Sequence, residues 1–139
     1  MIERLLVDTG PIVALLDRRD AHHAACKSQM AQHKGPLLTC WPVITEAAWL
    51  LRNDVPAIKR LFRSIESGLF ELMDLDRRAA GWIGEFMDRY QNLGTQVADA
   101  ALLYLAERDR IETIFTLDRR DFSVYRTSAG ASLKIVPQT

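Results

Sequence analysis

Leu5-Leu6-Val7-Asp8-Thr9-Gly10-Pro11 is the stretch on which the fold turns. Three apolar residues in a row read as a short buried strand, and Gly10-Pro11 closes it with a turn. Ile12 to Leu16 then reads as the first turns of a helix. Pro11 suits its opening position, because a missing N–H costs nothing there. A buried strand running straight into a helix is the first half of a βαβ unit. Working outward, the pattern repeats. His22–His33 is Ala- and Gln-rich and predicted helical, and Gly35-Pro36 ends it. Pro36–Cys40 reads as a second strand. Pro42 opens a helix carrying Val43, Ala47, Leu50 and Leu51. Asn53-Asp54 stops that helix and caps the next, Pro56–Ser67, whose Ile58, Leu61, Phe62 and Ile65 form an apolar stripe. Leu69–Leu75 is a third strand and Asp76–Tyr90 a helix. Asn92-Leu93-Gly94 reads as a loop and Val97–Arg108 as a strong helix. Thr113–Leu117 and Leu133–Val136 complete five strands, with Pro137 closing the last. Strands alternating with helices imply an α/β fold with a mostly parallel sheet.

At 139 residues, 48% of them hydrophobic, the chain is long enough for one domain with its own core, read here as residues 1–139. No apolar run approaches the roughly eighteen residues of a membrane span, and the first residues lack a signal-peptide pattern. Cys26 and Cys40 make no disulfide framework. A soluble protein of the reducing cytoplasm is the expectation. Eighteen basic residues balance eighteen acidic ones. At face value that zero argues against a nucleic-acid partner.

The placement of the acids changes that reading. Asp8 ends the first strand. Glu46 lies in the first turn of the helix after the second strand, among Ile44, Ala47, Ala48 and Trp49, which suggest a largely buried segment. Asp99 lies in the first turn of the helix after Gly94. Asp118 follows the fourth strand, with Asp121 three residues on. In an open parallel sheet, strand C-termini and the following helix N-termini share one edge, where such folds bind ligands. Alone, Asp8 and Asp99 are also read as helix caps or first-turn acids and Asp118 as a turn residue, while Glu46 is the most telling, since buried acids are rarely left without a partner. Together, four converging carboxylates repel one another unless a cation is present. Helix dipoles offset only about 0.3–1 kcal/mol each. An all-oxygen donor set points to Mg²⁺ or Mn²⁺ rather than Zn²⁺, as one ion or two. Such an ion lowers the pKa of bound water for phosphodiester hydrolysis.

The segments Leu-Leu-Val-Asp8-Thr-Gly, Val-Ile-Thr-Glu46-Ala-Ala-Trp-Leu-Leu, Val-Ala-Asp99-Ala-Ala-Leu and Ile-Phe-Thr116-Leu-Asp118-Arg-Arg-Asp-Phe122 resemble the PIN domain. More narrowly, they resemble the VapC-type toxins of bacterial toxin–antitoxin systems. The resemblance runs from Leu5 to Pro137, in order. It implies a metal-dependent endoribonuclease on a three-layer α/β/α sandwich with strand order 3-2-1-4-5. It implies Asp8, Glu46, Asp99 and Asp118 as catalytic acids. Asp8 and Asp99 would hold Mg²⁺ (or Mn²⁺), with Glu46 and Asp118 acting directly or through water. Thr116 would support the site. Thr9 is placed to order a ligand or water, and Asp121 is either a supporting acid or a cap before Phe122. The resemblance further implies an RNA substrate, products with a 5′-phosphate and a 3′-hydroxyl, a homodimer, and a small antitoxin protein as partner.

Other residues carry competing readings. His22 and Cys26 stand four apart on one helix, yet a zinc site needs more ligands than this region supplies, so an exposed face is expected. His33 is read as surface, and Cys40 as packing rather than a nucleophile. Arg outnumbers Lys fourteen to four. Arg119 and Arg120, beside Asp118, are candidates to grip RNA backbone or an antitoxin carboxylate, or to be a solvated turn. Trp41, Trp49, Trp82, Phe62, Phe70 and Phe86 are read as core or dimer interface.

Two rival functions stand beside the nuclease. One is a Mg²⁺-dependent phosphatase-like α/β enzyme, against which no second acid follows Asp8 two positions on. The other is a non-catalytic PIN-fold binding module, against which the acids are intact. Setting the four acids aside leaves fourteen acids against eighteen bases. With those four sequestered, the remaining surface is mildly basic and Arg-rich, so overall neutrality does not exclude RNA.

Overall fold

A computed structural model describes residues 3–138. Five short strands, β1 (Leu5–Val7), β2 (Leu37–Thr39), β3 (Phe70–Leu72), β4 (Thr113–Phe115) and β5 (Lys134–Val136), form one sheet in the order β3-β2-β1-β4-β5. All four pairings are parallel. The expected fold class is therefore borne out, with the sheet parallel throughout. β1, β2 and β4 are buried along their whole length, so none shows an apolar–polar alternation: β1 is wholly apolar, and β2 and β4 each carry one buried threonine. The edge strands carry exposed Glu71 and Lys134, charges that discourage further pairing.

The described residues form seven α-helices about the sheet: α1 (Thr9–Leu16), α2 (His23–Ala31), α3 (Trp41–Leu50), α4 (Val55–Glu66), α5 (Arg77–Arg89), α6 (Val97–Asp109) and the one-turn α7 (Arg119–Phe122). Among the described residues, none is long and apolar enough to cross a membrane. α6 is buried on almost every side, from Ala100 through Ala106, so its apolar residues show little one-sided stripe. α4 and α5 are each apolar on one side only, and each is capped by an aspartate. Asp54 accepts from the Ala57 amide and Asp76 from the Ala79 amide, both at 3.1 Å.

Several boundaries differ from the sequence reading: Leu69–Leu75 holds only the three-residue β3, Thr113–Leu117 only Thr113–Phe115, and α3 opens at Trp41, one residue before Pro42. α1 starts at Thr9, three residues before Ile12, so Pro11 is its third residue rather than its first. The exchange is harmless because all the first-turn amides lack partners within the helix. Asn92-Leu93 belongs to a short 3₁₀ turn, Gln91–Leu93, closed by Gly94 at φ 66°, a left-handed conformation that glycine takes without strain. α7 occupies a stretch that reads as a turn in the sequence. Four residues are too few for a helical period to show.

The topology delivers the site. β1 and β4 lie side by side in register, Val7 opposite Phe115. The Asp8 amide continues the ladder, donating to the Phe115 carbonyl at 2.9 Å. Asp8 and Thr116 therefore leave the sheet together at its C-terminal edge, where α1, α3 and α6 begin.

Candidate metal centre

A pocket of about 500 Å³ opens at that edge. Asp8, Thr9 and Gly10 line it from the end of β1. Glu46 and Leu50 come from α3. Gly94, Gln96 and Asp99 come from the start of α6, and Leu117, Asp118 and Asp121 from the segment after β4. Two larger hollows contain none of the four acids. One lies beside Glu3, Thr113 and Lys134, and the other runs between Leu16, Arg19, Met30 and Arg60.

Asp8 is the deepest of the acids, only 7% exposed. It stands at the N-cap position of α1, yet its side chain makes no cap hydrogen bond. Its Oδ2 instead accepts from the Thr116 hydroxyl at 2.8 Å, and the same Thr116 oxygen accepts from the Asp118 amide at 3.0 Å. Thr116 thus ties the ends of β1 and β4 together. Burial pushes the Asp8 carboxyl up to about 7, and the Asp99 charge adds to the shift. Asp99 is half-buried in the first turn of α6. Its carboxyl is pushed up to about 6, chiefly by burial. The hydrogen bond from Tyr125 opposes the rise, and the charges of Asp118 and Glu46 reinforce it.

Glu46 is half-buried and its Oε2 accepts from the Thr9 hydroxyl at 3.3 Å. Its setting corrects two expectations. α3 starts at Trp41, so Glu46 is the sixth residue and lies in the second turn of the helix rather than the first. Ile44 and Ala47 are buried, but Trp49 and Leu50 are 64% and 53% exposed. A single helix face turns inward here, so the segment is not largely buried. Asp118 is exposed and caps α7, accepting from the Asp121 amide at 3.0 Å. The cap reading and the pocket reading both hold for it. Asp121 sits inside α7 rather than capping it. Burial and the neighbouring Asp118 charge raise its carboxyl above the usual range.

As placed, no three His, Cys, Asp or Glu side chains among the described residues stand close enough to share one ion. Each carboxylate leans on its own hydroxyl or amide. The donor chemistry nonetheless fits a hard cation. The pocket's titratable side chains are all carboxylates, which offer oxygen donors only. Two carboxyls are held near neutral pH by burial and mutual repulsion, and among the described residues no Arg, Lys or His pairs with any of the four acids.

Sequence reasoning missed two polar groups that shape the site. Tyr125 donates to Asp99 Oδ2 at 2.9 Å, and Thr95 meets the Tyr125 hydroxyl at 3.0 Å. Neither sits in an acidic motif. The only sequence signal is a pair of aromatics three residues apart, Phe122 and Tyr125, both buried.

The remaining candidates sort by burial. Cys26 is fully buried, not on an exposed face, while His22 is exposed at the start of α2. The two do not share a surface, because α2 packs its Cys26 side against α1. His33 is half-buried. Cys40 is buried packing, and burial pushes its thiol up to about 12, far from a nucleophile's range. Arg119 and Arg120 are exposed, and Arg119 donates to the Pro137 carbonyl at 2.7 Å. Phe70 and Phe86 are core. Trp41 and Phe62 are 55% and 43% exposed, with ring centroids 6.4 Å apart. They are surface, not interior.

This fold and this edge of the sheet define a class. The chain belongs to the PIN domain family, whose model matches residues 5–127. It is similar to Ribonuclease VapC26 of Mycobacterium tuberculosis (strain ATCC 25618 / H37Rv), at 30% identity over 135 residues. That match covers 96% of this chain and 100% of the relative. In structure it is similar to Mycobacterium tuberculosis VapC20, described as a sarcin-ricin loop cleaving toxin. The TM-score is 0.78 at 19% identity, over 86% of this chain and 94% of that one. It is also similar to VapBC2 from Rickettsia felis bound to a DNA fragment from their promoter. There the TM-score is 0.61 at 12% identity, over 94% and 96% of the two chains. The two structural likenesses speak to the fold alone. The resemblance drawn from the acidic motifs is borne out, and nucleases of this family generally depend on a divalent metal.

Thr116→Val tests how the floor of the pocket is held. The substitution keeps shape and removes the hydroxyl that serves both Asp8 and the Asp118 amide. RNA cleavage is expected to fall by about 10- to 100-fold, the usual cost of losing a group that orients a ligand. Initial rates on a fluorescent RNA would check it.

Proposed function

We propose that this protein is a Mg²⁺- or Mn²⁺-dependent endoribonuclease and the toxin of a toxin–antitoxin pair, acting in the cytoplasm as one PIN domain over residues 1–139. The observation that carries the reading is buried Asp8, fixed by Thr116 and facing Asp99 and Glu46 in one carboxylate-lined pocket. Family membership and the VapC26 relative support the substrate class.

In this reading Asp8 and Asp99 hold the ion, with Glu46 and Asp118 contributing directly or through water. The ion, when bound, supplies charge neutralisation at the scissile phosphate and acidifies its water. Thr116 keeps one Asp8 oxygen occupied, and Thr9 does the same for Glu46, so the carboxylates present fixed faces to the pocket. Asp121 adds negative charge behind Asp118. Arg119 and Arg120, exposed at the mouth of the acidic edge, supply contacts to RNA phosphates or to an antitoxin carboxylate. A homodimer and a small antitoxin protein complete the proposed assembly.

The test is cleavage of RNA by the purified protein with Mn²⁺ or Mg²⁺, followed by end analysis. Products with a 5′-phosphate and a 3′-hydroxyl, lost on chelation, are the expected result. Phosphate release from small phosphomonoesters with RNA left intact would instead identify the phosphatase-like enzyme. Folded protein that binds no Mn²⁺ would identify a binding module.

A further inference from the structure

Three carboxylates at the pocket each have one oxygen engaged by a hydroxyl. Thr116 engages Asp8 at 2.8 Å, Thr9 engages Glu46 at 3.3 Å, and Tyr125 engages Asp99 at 2.9 Å. The two threonines sit within two residues of a site acid. Tyr125 does not. It lies 26 residues beyond Asp99, past α7, and reaches back through the core.

Its ring is 1% exposed and sits against Phe86, Tyr90 and Phe122, with centroid separations of 5.1, 5.1 and 5.2 Å. A tyrosine so enclosed has little rotational freedom, and its hydroxyl position is set by packing. A phenol carries one proton and an ionised carboxylate carries none, so Tyr125 donates to Asp99. Its oxygen then lies 3.0 Å from Thr95 Oγ1, whose single proton is shared between the Tyr125 oxygen and the Tyr90 carbonyl at 3.3 Å. A tyrosine with a merely structural role needs only one hydrogen-bond partner, and Thr95 alone would serve. This hydroxyl is instead directed at Asp99, an acid that lines the pocket.

We infer that Tyr125 is a positioning residue, held by the aromatic cluster and backed by Thr95, which fixes the Asp99 carboxylate for ion binding. The inference rests on the reading of Asp8 and Asp99 as the ion's ligands. It assigns to the segment after α7 a part in the site that the acidic motifs do not reveal.

Tyr125→Phe keeps the ring and its packing and removes only the hydroxyl. Mn²⁺ binding to the full chain is measured by calorimetry, alongside the metal-free melting temperature and the Mn²⁺ dependence of RNA cleavage. The melting temperature is expected to stay within a few degrees of wild type. Mn²⁺ affinity is expected to fall about tenfold or more, with most of the cleavage rate recovered at saturating Mn²⁺. Thr95→Val, which removes the backing donor, is expected to weaken Mn²⁺ in the same direction by a smaller factor. It decides the matter if Tyr125→Phe does not fold. Wild type that binds Mn²⁺ alongside variants that bind it equally well would overturn the role of Tyr125 and leave the metal reading standing. Wild type that binds no Mn²⁺ would overturn both.

Discussion

Asp8→Asn protein is expected to lose RNA cleavage by roughly a thousandfold, the equivalent of about 4 kcal/mol of transition-state stabilisation. The geometry explains why so small a change should be so costly. Asparagine keeps the shape and can still accept from Thr116 through its carbonyl oxygen, so the tie between β1 and β4 survives. What disappears is the buried charge at the floor of the pocket. The same substitution should make the metal-free protein more stable. The Asp8 carboxyl is raised from 3.8 to about 7, mainly by burial, so at pH 8 the folded state holds an unfavourable charge. A raised carboxyl favours folding below its unfolded pKa, and that contribution is lost as pH rises toward 7. The stabilisation by Asp8→Asn should therefore be absent near pH 4 and reach about 2–4 kcal/mol at pH 8. Chemical denaturation at the two pH values, run beside the cleavage assay, reads both effects. Undiminished cleavage by folded Asp8→Asn protein would sink the proposed mechanism.

Loss of function with gain of stability is the signature of a group kept for chemistry, and it bears on what the sequence made legible. The sheet was legible because its three central strands are buried along their length and stand as short runs rich in Leu, Ile, Val, Phe and Thr, set between helical patterns. The placing of Asp8, Glu46, Asp99 and Asp118 around one pocket came from parallel topology alone, since every relevant strand end points to the same edge. Depth did not. Glu46 looked like the buried acid from its apolar neighbours, whereas Asp8 is the most buried of the four and Trp49 is exposed. Neighbours in sequence report helix composition, and only the packed helix decides which side turns inward. α7 was lost because one turn carries no period, and Tyr125 because its partner lies 26 residues away. Contacts of that kind exist only once the C-terminal segment has folded back across α6.

Metal and protons are expected to compete openly at this site. Burial and mutual repulsion hold Asp8 near 7 and Asp99 near 6, so both must lose protons before an ion can bind. Between pH 7 and pH 5, Mn²⁺ affinity should fall by about fiftyfold through Asp8, and by about another tenfold through Asp99. The thiols of Cys26 and Cys40 are pushed up to about 11 and 12, and so do not titrate in this range. At a fixed, subsaturating Mn²⁺ concentration, cleavage should drop steeply on the acid side. Raising Mn²⁺ should move that limb to lower pH, because more ion outcompetes the same protons. Stability gives an independent reading with the opposite sign from the metal-free protein. Without metal, the Asp8 and Asp99 contributions fade as pH rises through 6 and 7. With Mn²⁺ at about a hundred times its dissociation constant, binding adds about 2.7 kcal/mol. At one fixed concentration that gain grows from pH 5 to pH 8 as the two carboxyls ionise. Melting curves at several pH values, with and without Mn²⁺, measure the increment directly. An increment that stays flat from pH 5 to pH 8, or an acid limb that ignores the Mn²⁺ concentration, would mean that neither Asp8 nor Asp99 gives up a proton to the ion.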